Sequence, residues 1–120
     1  MRRLIVSVAV VLSSLTVAMA GHADEAEARH PCWRWRTTAL EFFTRDQWRY
    51  PVRGIMYRES RCDPGAYNPS GASGLMQIMP FWADDCGGWP SRLFRPRFNL
   101  RCARHVYEVQ GWYAWSVYPF

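Results

Sequence analysis

The feature that most constrains this chain is the stretch from Cys62 to Gly74, which holds two Pro, three Gly, an Asn and two Ser in 13 residues. No regular helix or central strand survives such a density of turn formers. The chain must therefore reverse here, with its packing elements on either side. On the N-terminal side, Pro51 suits the first position of a helix. Val52, Ile55, Met56 and Glu59 follow at three- and four-residue spacing, which predicts one buried face ending in an acid. On the C-terminal side, Gly74 to Met79 is a short apolar run expected as a strand or an extended segment along a cleft.

The rest of the pattern reads as helix and loop. Asp24 to Arg29 is charged and Ala-rich, and 21–31 is expected as a flexible lead-in. A first helix is predicted over Arg34 to Thr44, with Leu40 and Phe43 at helical spacing and Trp33 and Trp35 at its start. A break is expected over Arg45 to Tyr50. Pro80 can open a third helix to Asp85, stopped by Gly87 and Gly88. Trp89 to Arg97, with Pro90 and Pro96, reads as loop. Phe98 to Gln110 is predicted as a fourth helix, apolar at Leu100, Ala103, Val106, Tyr107 and Val109 and stopped at Gly111. The aromatic tail Trp112 to Phe120 is expected to pack back. The expected class is mainly α, with about four helices.

Residues 1–20 carry the signature of an export signal: Arg2 and Arg3, an apolar run from Leu4 to Leu12 and beyond, and the A-x-A site Ala18-Met19-Ala20. Ala23 offers a second cleavage position. The run is short for a span, Ser and Thr interrupt it, and no basic stop-transfer cluster follows, so no stable membrane insertion is expected after cleavage. What remains is about 100 residues, enough for one small monomeric domain, 32–120, with a modest core.

Such a domain in an oxidising compartment gains from disulfides. Cys32, Cys62, Cys86 and Cys102 are an even set, and their separations of 30, 24 and 16 do not form the close pairs of zinc sites. Three pairings are open. The favoured one joins Cys86 to Cys102, which would tie the segment after Met76-Gln77 to a later helix, and leaves Cys32 with Cys62. His22, His30 and His105 lack metal spacing, so neither metal nor other cofactor is expected. All 15 basic residues are Arg, and without Arg2 and Arg3 the remaining 13 face 10 acids for a net charge of +3. They are scattered among acids, which argues against a nucleic-acid surface; the excess reads first as coding bias on a solvated surface and second as attraction to an anionic cell wall.

Glu59 carries the chemistry. Cleaving a glycosidic bond needs a proton delivered to the leaving oxygen, and a carboxylic acid in an apolar setting is suited to it. Glu59 follows Ile55, Met56 and Tyr57 and would face Leu75 and Met76, which would favour its neutral form. The bland alternative is a surface Glu paired with Arg58 or Arg61. A second acid would have to be Asp63, Asp84, Asp85 or Glu108, and none has a catalytic context. Asp63 precedes Pro64 and reads as a turn residue. Gly71 and Gly74 fit equally a plain turn or the close approach of backbone to a sugar.

Glu59-Ser60, Asp63-Pro64 and Gly71-Ala72-Ser73-Gly74-Leu75-Met76-Gln77-Ile78-Met79-Pro80 together resemble the signature of the soluble lytic transglycosylases, within the lysozyme-like superfamily. The resemblance is strong over Val52 to Trp82, weaker over Phe98 to Val109 and absent before Trp33. It implies a lysozyme-like fold and Glu59 as catalytic acid and base. It implies glycan contacts from Gln77 and Met79, with Asn68 and Ser73 in the substrate-binding loop. The usual Tyr-Asn-x-Gly stretch is replaced by Gly111-Trp112-Tyr113-Ala114-Trp115, an ending more similar to compact secreted lysozyme-like domains of actinobacteria, including those related to resuscitation-promoting factors. The expected function is peptidoglycan cleavage between N-acetylmuramic acid and N-acetylglucosamine by one Glu with substrate assistance, in a secreted or cell-wall location. The alternatives are a hydrolytic muramidase and a non-catalytic glycan-binding module.

Overall fold

The computed structural model describes residues 25–120. The expected export signal, His22 and the start of the lead-in lie outside the described residues. From residue 25 the lead-in docks on the domain: 25–28 form one helical turn, Glu27 pairs with Arg53 at 3.5 Å, and His30 meets the edge of Tyr57 at 5.4 Å.

The first helix begins and ends earlier than predicted, as a 3-10 turn over Pro31–Trp35 leading into α1, Arg36–Ala39, which stops short of Thr44. Pro31 supplies the pre-set φ of a first turn, and His30 Nδ1 accepts from the Cys32 amide at 3.2 Å. The predicted break at Arg45 to Tyr50 is instead helical for most of its length. Thr44 and Gln47 form a reciprocal capping box, with contacts of 3.1 and 3.0 Å, which starts α2, Arg45–Gln47. The chain then widens through Trp48–Val52, where Tyr50 alone leaves helical geometry (φ −158°, ψ 121°). That conformation is the one a residue before proline prefers. α3, Arg53–Ser60, follows and ends where Arg61 and Cys62 turn left-handed.

α3 buries Ile55 and Met56 completely, with Val52 from the preceding turn, so the predicted apolar face is the observed one. The Gly74–Met79 run is not a strand. Gly74 (φ +76°) and Gln77 (φ +49°) fold it into a tight turn, closed by paired backbone bonds of 3.0 and 3.1 Å between Ser73 and Ile78. Isolated bridges from Ser73 to Tyr67 and Ile78 take the place of a sheet among the described residues. The predicted helix from Pro80 is a single 3-10 turn, Pro80–Trp82, and the predicted loop after Trp89 contains another, Pro90–Phe94. α4, Pro96–Gln110, starts two residues early because Pro96 serves as its N-terminal proline. Its buried face includes Phe98, Leu100, Cys102, Ala103 and Val106, while Val109 faces solvent.

The fold is thus mainly helical and stapled by Cys32–Cys62 and Cys86–Cys102, the favoured pairing. The first pins the 3-10 turn before α1 to the end of α3, where Trp35 Nε1 also donates to the Cys62 carbonyl at 2.9 Å. The tail packs back as expected: Trp112 stacks on Tyr107 at 4.0 Å, Trp115 is buried, and Arg58 lies over the Phe120 ring at 3.9 Å. No helix of the described residues is long and apolar enough to cross a membrane.

Candidate active site

Glu59 is the penultimate residue of α3, and the next residue determines what it faces. Ser60 is buried, and its hydroxyl lies 2.7 Å from the Leu75 carbonyl and 3.0 Å from that of Met56. A hydroxyl has one proton. The Met56 carbonyl already serves the helix, so the shorter contact to Leu75 is the donated bond. It ties the end of α3 to the Gly74–Gln77 turn and brings Glu59 and Gln77 to one cleft of about 350 Å³.

Asn68, Ala72, Gln77, Ile78 and Met79 line the cleft from the loop and turn. Phe81 and Trp82 come from the 3-10 turn, Val106 and Gln110 from α4, and Ala114, Trp115 and Ser116 from the tail. Glu59 is the only acid among these lining residues. The alternative acids lie elsewhere. Asp63 Oδ1 accepts from the Gly65 amide at 2.8 Å in a local turn, Glu108 pairs with Arg104 at 2.8 Å, and Asp84 and Asp85 are exposed outside the cleft.

The bland alternative for Glu59 does not hold. Arg58 lies over Phe120 at 3.9 Å and Arg61 over Tyr57 at 4.6 Å, so both neighbouring cations sit on aromatic faces. Among the described residues Glu59 has neither an ion pair nor a hydrogen bond. It is half-buried, and that burial pushes its carboxyl above the ordinary value, since the ionised form loses hydration without gaining a counter-charge.

Gln77 lies beside the acid, as expected, but its amide is partly engaged. Nε2 donates to the carbonyls of Ala66 at 3.1 Å and Gly74 at 3.0 Å, and Oε1 has no partner among the described residues. Asn68 and Met79 also reach the cleft, with Asn68 Oδ1 accepting from the Ser70 amide at 2.9 Å. Ser73 does not line it. That residue is buried, its hydroxyl donates to the Gly71 carbonyl at 2.8 Å, and it acts as scaffold for the turn. Met76 is fully buried core. Trp82 and Trp115 line the cleft, while Trp112 packs between Tyr107 and Phe43. Phe81, 67% exposed, offers the cleft an open aromatic face that the pattern did not single out.

Gly74 resolves in favour of close approach, though to protein and not to sugar. A Cβ there would overlap the Leu93 carbonyl and the Asn99 amide. Asn99, wholly buried on α4, is a residue the sequence pattern missed; an Asn among apolar helix positions carries no local signal of a contact with a turn more than 20 residues away. His30, Cys32 and Cys62 cluster within 4.8 Å, but both sulfurs are bonded to each other, which leaves no thiolate ligand.

A family model described as the Transglycosylase SLT domain matches residues 44–107. The probable transglycosylases IsaA of Staphylococcus aureus, in the bovine strain RF122, strain Newman and strain USA300, are each 43% identical over 62 residues. That alignment covers 52% of this chain and 23% of each relative, so the similarity spans less than a quarter of those proteins' length. No solved structure matches. With the family model covering more than half of the chain and enclosing Glu59, Gln77 and most of the cleft, the chain belongs to the transglycosylase SLT domain family.

Proposed function

We propose that this protein cuts the glycan strand of peptidoglycan between N-acetylmuramic acid and N-acetylglucosamine, as a lytic transglycosylase with Glu59 as its one catalytic acid and base. The observation that carries the reading is a half-buried carboxyl that, among the described residues, has no counter-charge and is the only acid lining an aromatic-walled cleft. A carboxyl so placed holds its proton longer than one in water, which is the state a general acid needs.

In this mechanism Glu59 protonates the leaving glycosidic oxygen. The substrate's own N-acetyl group stabilises the oxocarbenium-like centre, since no second carboxylate among the described residues lines the cleft to do so. Glu59, now ionised, takes the proton of the muramyl 6-hydroxyl as that oxygen attacks the anomeric carbon, leaving a 1,6-anhydro sugar. Gln77 Oε1 is open to accept from an N-acetyl N–H, and Asn68 and Met79 flank it. Phe81 and Trp82 supply apolar faces for sugar rings. Neither metal nor cofactor is part of this scheme.

The export signature at 1–20 and the two disulfides support a secreted or cell-wall location, in a compact form of the family. Digestion of purified cell walls tests the reading. Release of soluble muropeptides by the wild type and not by Glu59→Gln supports it. A protein that binds walls without releasing fragments would be a glycan-binding module.

A further inference from the structure

Resting on that reading, we infer that Asn99 is a positioning residue for the reaction: from the buried face of α4 its amide fixes the Ser73–Gln77 turn, and through it the Gln77 side chain, relative to Glu59. Asn99 Oδ1 accepts from the Met76 amide at 2.9 Å. Its Nδ2 donates both protons, to the carbonyls of Ser73 and Leu93, each at 2.9 Å. Every donor of a wholly buried amide is therefore satisfied, and two of its three bonds go to the turn that carries Gln77.

The other side of the same residue is held as well. Trp115 Nε1 donates to the Met76 carbonyl at 2.8 Å. The backbone of Met76 is thus gripped by its N–H from α4 and by its C=O from the tail, immediately before Gln77 takes a left-handed φ of +49°. A non-glycine residue keeps such a conformation only where its surroundings impose it. Gly74 completes the arrangement, because any larger residue there would displace the Asn99 amide and the Leu93 carbonyl. Ser60, adjacent to Glu59, is bonded to the Leu75 carbonyl of the same turn, so a shift of the turn changes the geometry between acid and amide directly.

The test compares Asn99→Asp with Leu100→Ala, a core truncation on the same helix at a residue that does not itself line the cleft. Asp keeps an acceptor for the Met76 amide but loses both donors and brings a buried charge. Steady-state kinetics on solubilised glycan strands are run well below each variant's melting temperature, with circular dichroism confirming folding. Asn99→Asp is expected to lose kcat/KM by about ten- to a hundred-fold, as misplacement by a fraction of an ångström to an ångström does. Its activity–pH profile should also move from that of the wild type, because a displaced turn and a new neighbouring charge both change the surroundings of Glu59. Leu100→Ala is expected to stay within about three-fold of wild type, with an unmoved pH profile. Amide exchange on the wild type gives a reading free of any variant: Met76 N–H should exchange as slowly as core amides of α4.

An Asn99→Asp enzyme that is folded and matches Leu100→Ala in kcat/KM and pH profile overturns the inference alone. So does rapid exchange at Met76, even where Asn99→Asp fails to fold. A wild type that cleaves no glycan overturns the functional reading, and this inference with it.

Discussion

Ser60→Ala removes one oxygen and tests how Glu59 is placed. The lost bond is the 2.7 Å contact to the Leu75 carbonyl, which has no other donor among the described residues. Ser60 is 7% exposed and Leu75 is fully buried, so water cannot readily take the place of the hydroxyl. Removing one partner of a buried bond and stranding the other costs about 1–3 kcal/mol. For a domain of this size that is a fall of roughly 4–24 °C in melting temperature, at 4–8 °C per kcal/mol. The bond also joins the element that carries the acid to the turn that carries Gln77. Activity measured well below the melting temperature should therefore fall more than the folded fraction does, by roughly ten-fold. Thermal and urea denaturation followed by circular dichroism give the stability term, and turbidity clearing of cell walls gives the activity. A variant that melts within 1 °C (about 0.2 kcal/mol) of wild type and clears walls at the same rate would refute the reasoning.

Other consequences follow from the same contacts. Burial raises the Glu59 pKa in the folded chain, so the stability this site contributes is complete below about pH 4 and is lost as pH rises through the folded value. Glu59→Gln should accordingly melt with wild type in acid and above it at neutral pH; a lower melting temperature at neutral pH would contradict the burial argument. Gln77→Ala should weaken glycan binding and also destabilise the fold, by about 1–2 kcal/mol, because Nε2 holds the Ala66 and Gly74 carbonyls. Isothermal titration with a glycan fragment and a urea melt would show both effects, and a loss of binding alone would mean those two bonds do not form. Replacing Cys86 and Cys102 together by Ala opens a link across 16 residues and should cost about 3 kcal/mol. A denaturation midpoint unchanged by that replacement, or a non-reducing peptide map with another pairing, would count against it.

Much of this fold is legible in the sequence because its signals are local. The spacing of Val52, Ile55, Met56 and Glu59 predicts both the buried face of α3 and the acid at its end. The turn formers between Cys62 and Gly74 predict the reversal. Thr44 and Gln47 also carry a local signal, a capping box, but the break expected after the first helix obscured it. The apolar Gly74–Met79 run reads as a strand or an extended segment because periodicity does not reveal that Gly74 and Gln77 turn left-handed. The residues that set the site are the least legible. Asn99 and Trp115 reach the Met76 backbone across 23 and 39 residues, and no pattern of neighbours encodes such contacts. Gln77 divides its amide in a way no local pattern shows: its nitrogen serves the loop that shapes the cleft, and its oxygen is left open.

The central claim is that Glu59 alone supplies and recovers the proton in glycan cleavage. Mass spectrometry of the fragments released from purified peptidoglycan by the wild type and by Glu59→Gln tests it most directly. The account predicts muropeptides one water lighter than hydrolysis products, carrying a 1,6-anhydromuramyl end, from the wild type. It predicts release slower by roughly 10²–10⁴-fold from Glu59→Gln. Release at wild-type rate from Glu59→Gln would contradict the assignment of the acid, and fully hydrated products from the wild type would contradict attack by the muramyl hydroxyl.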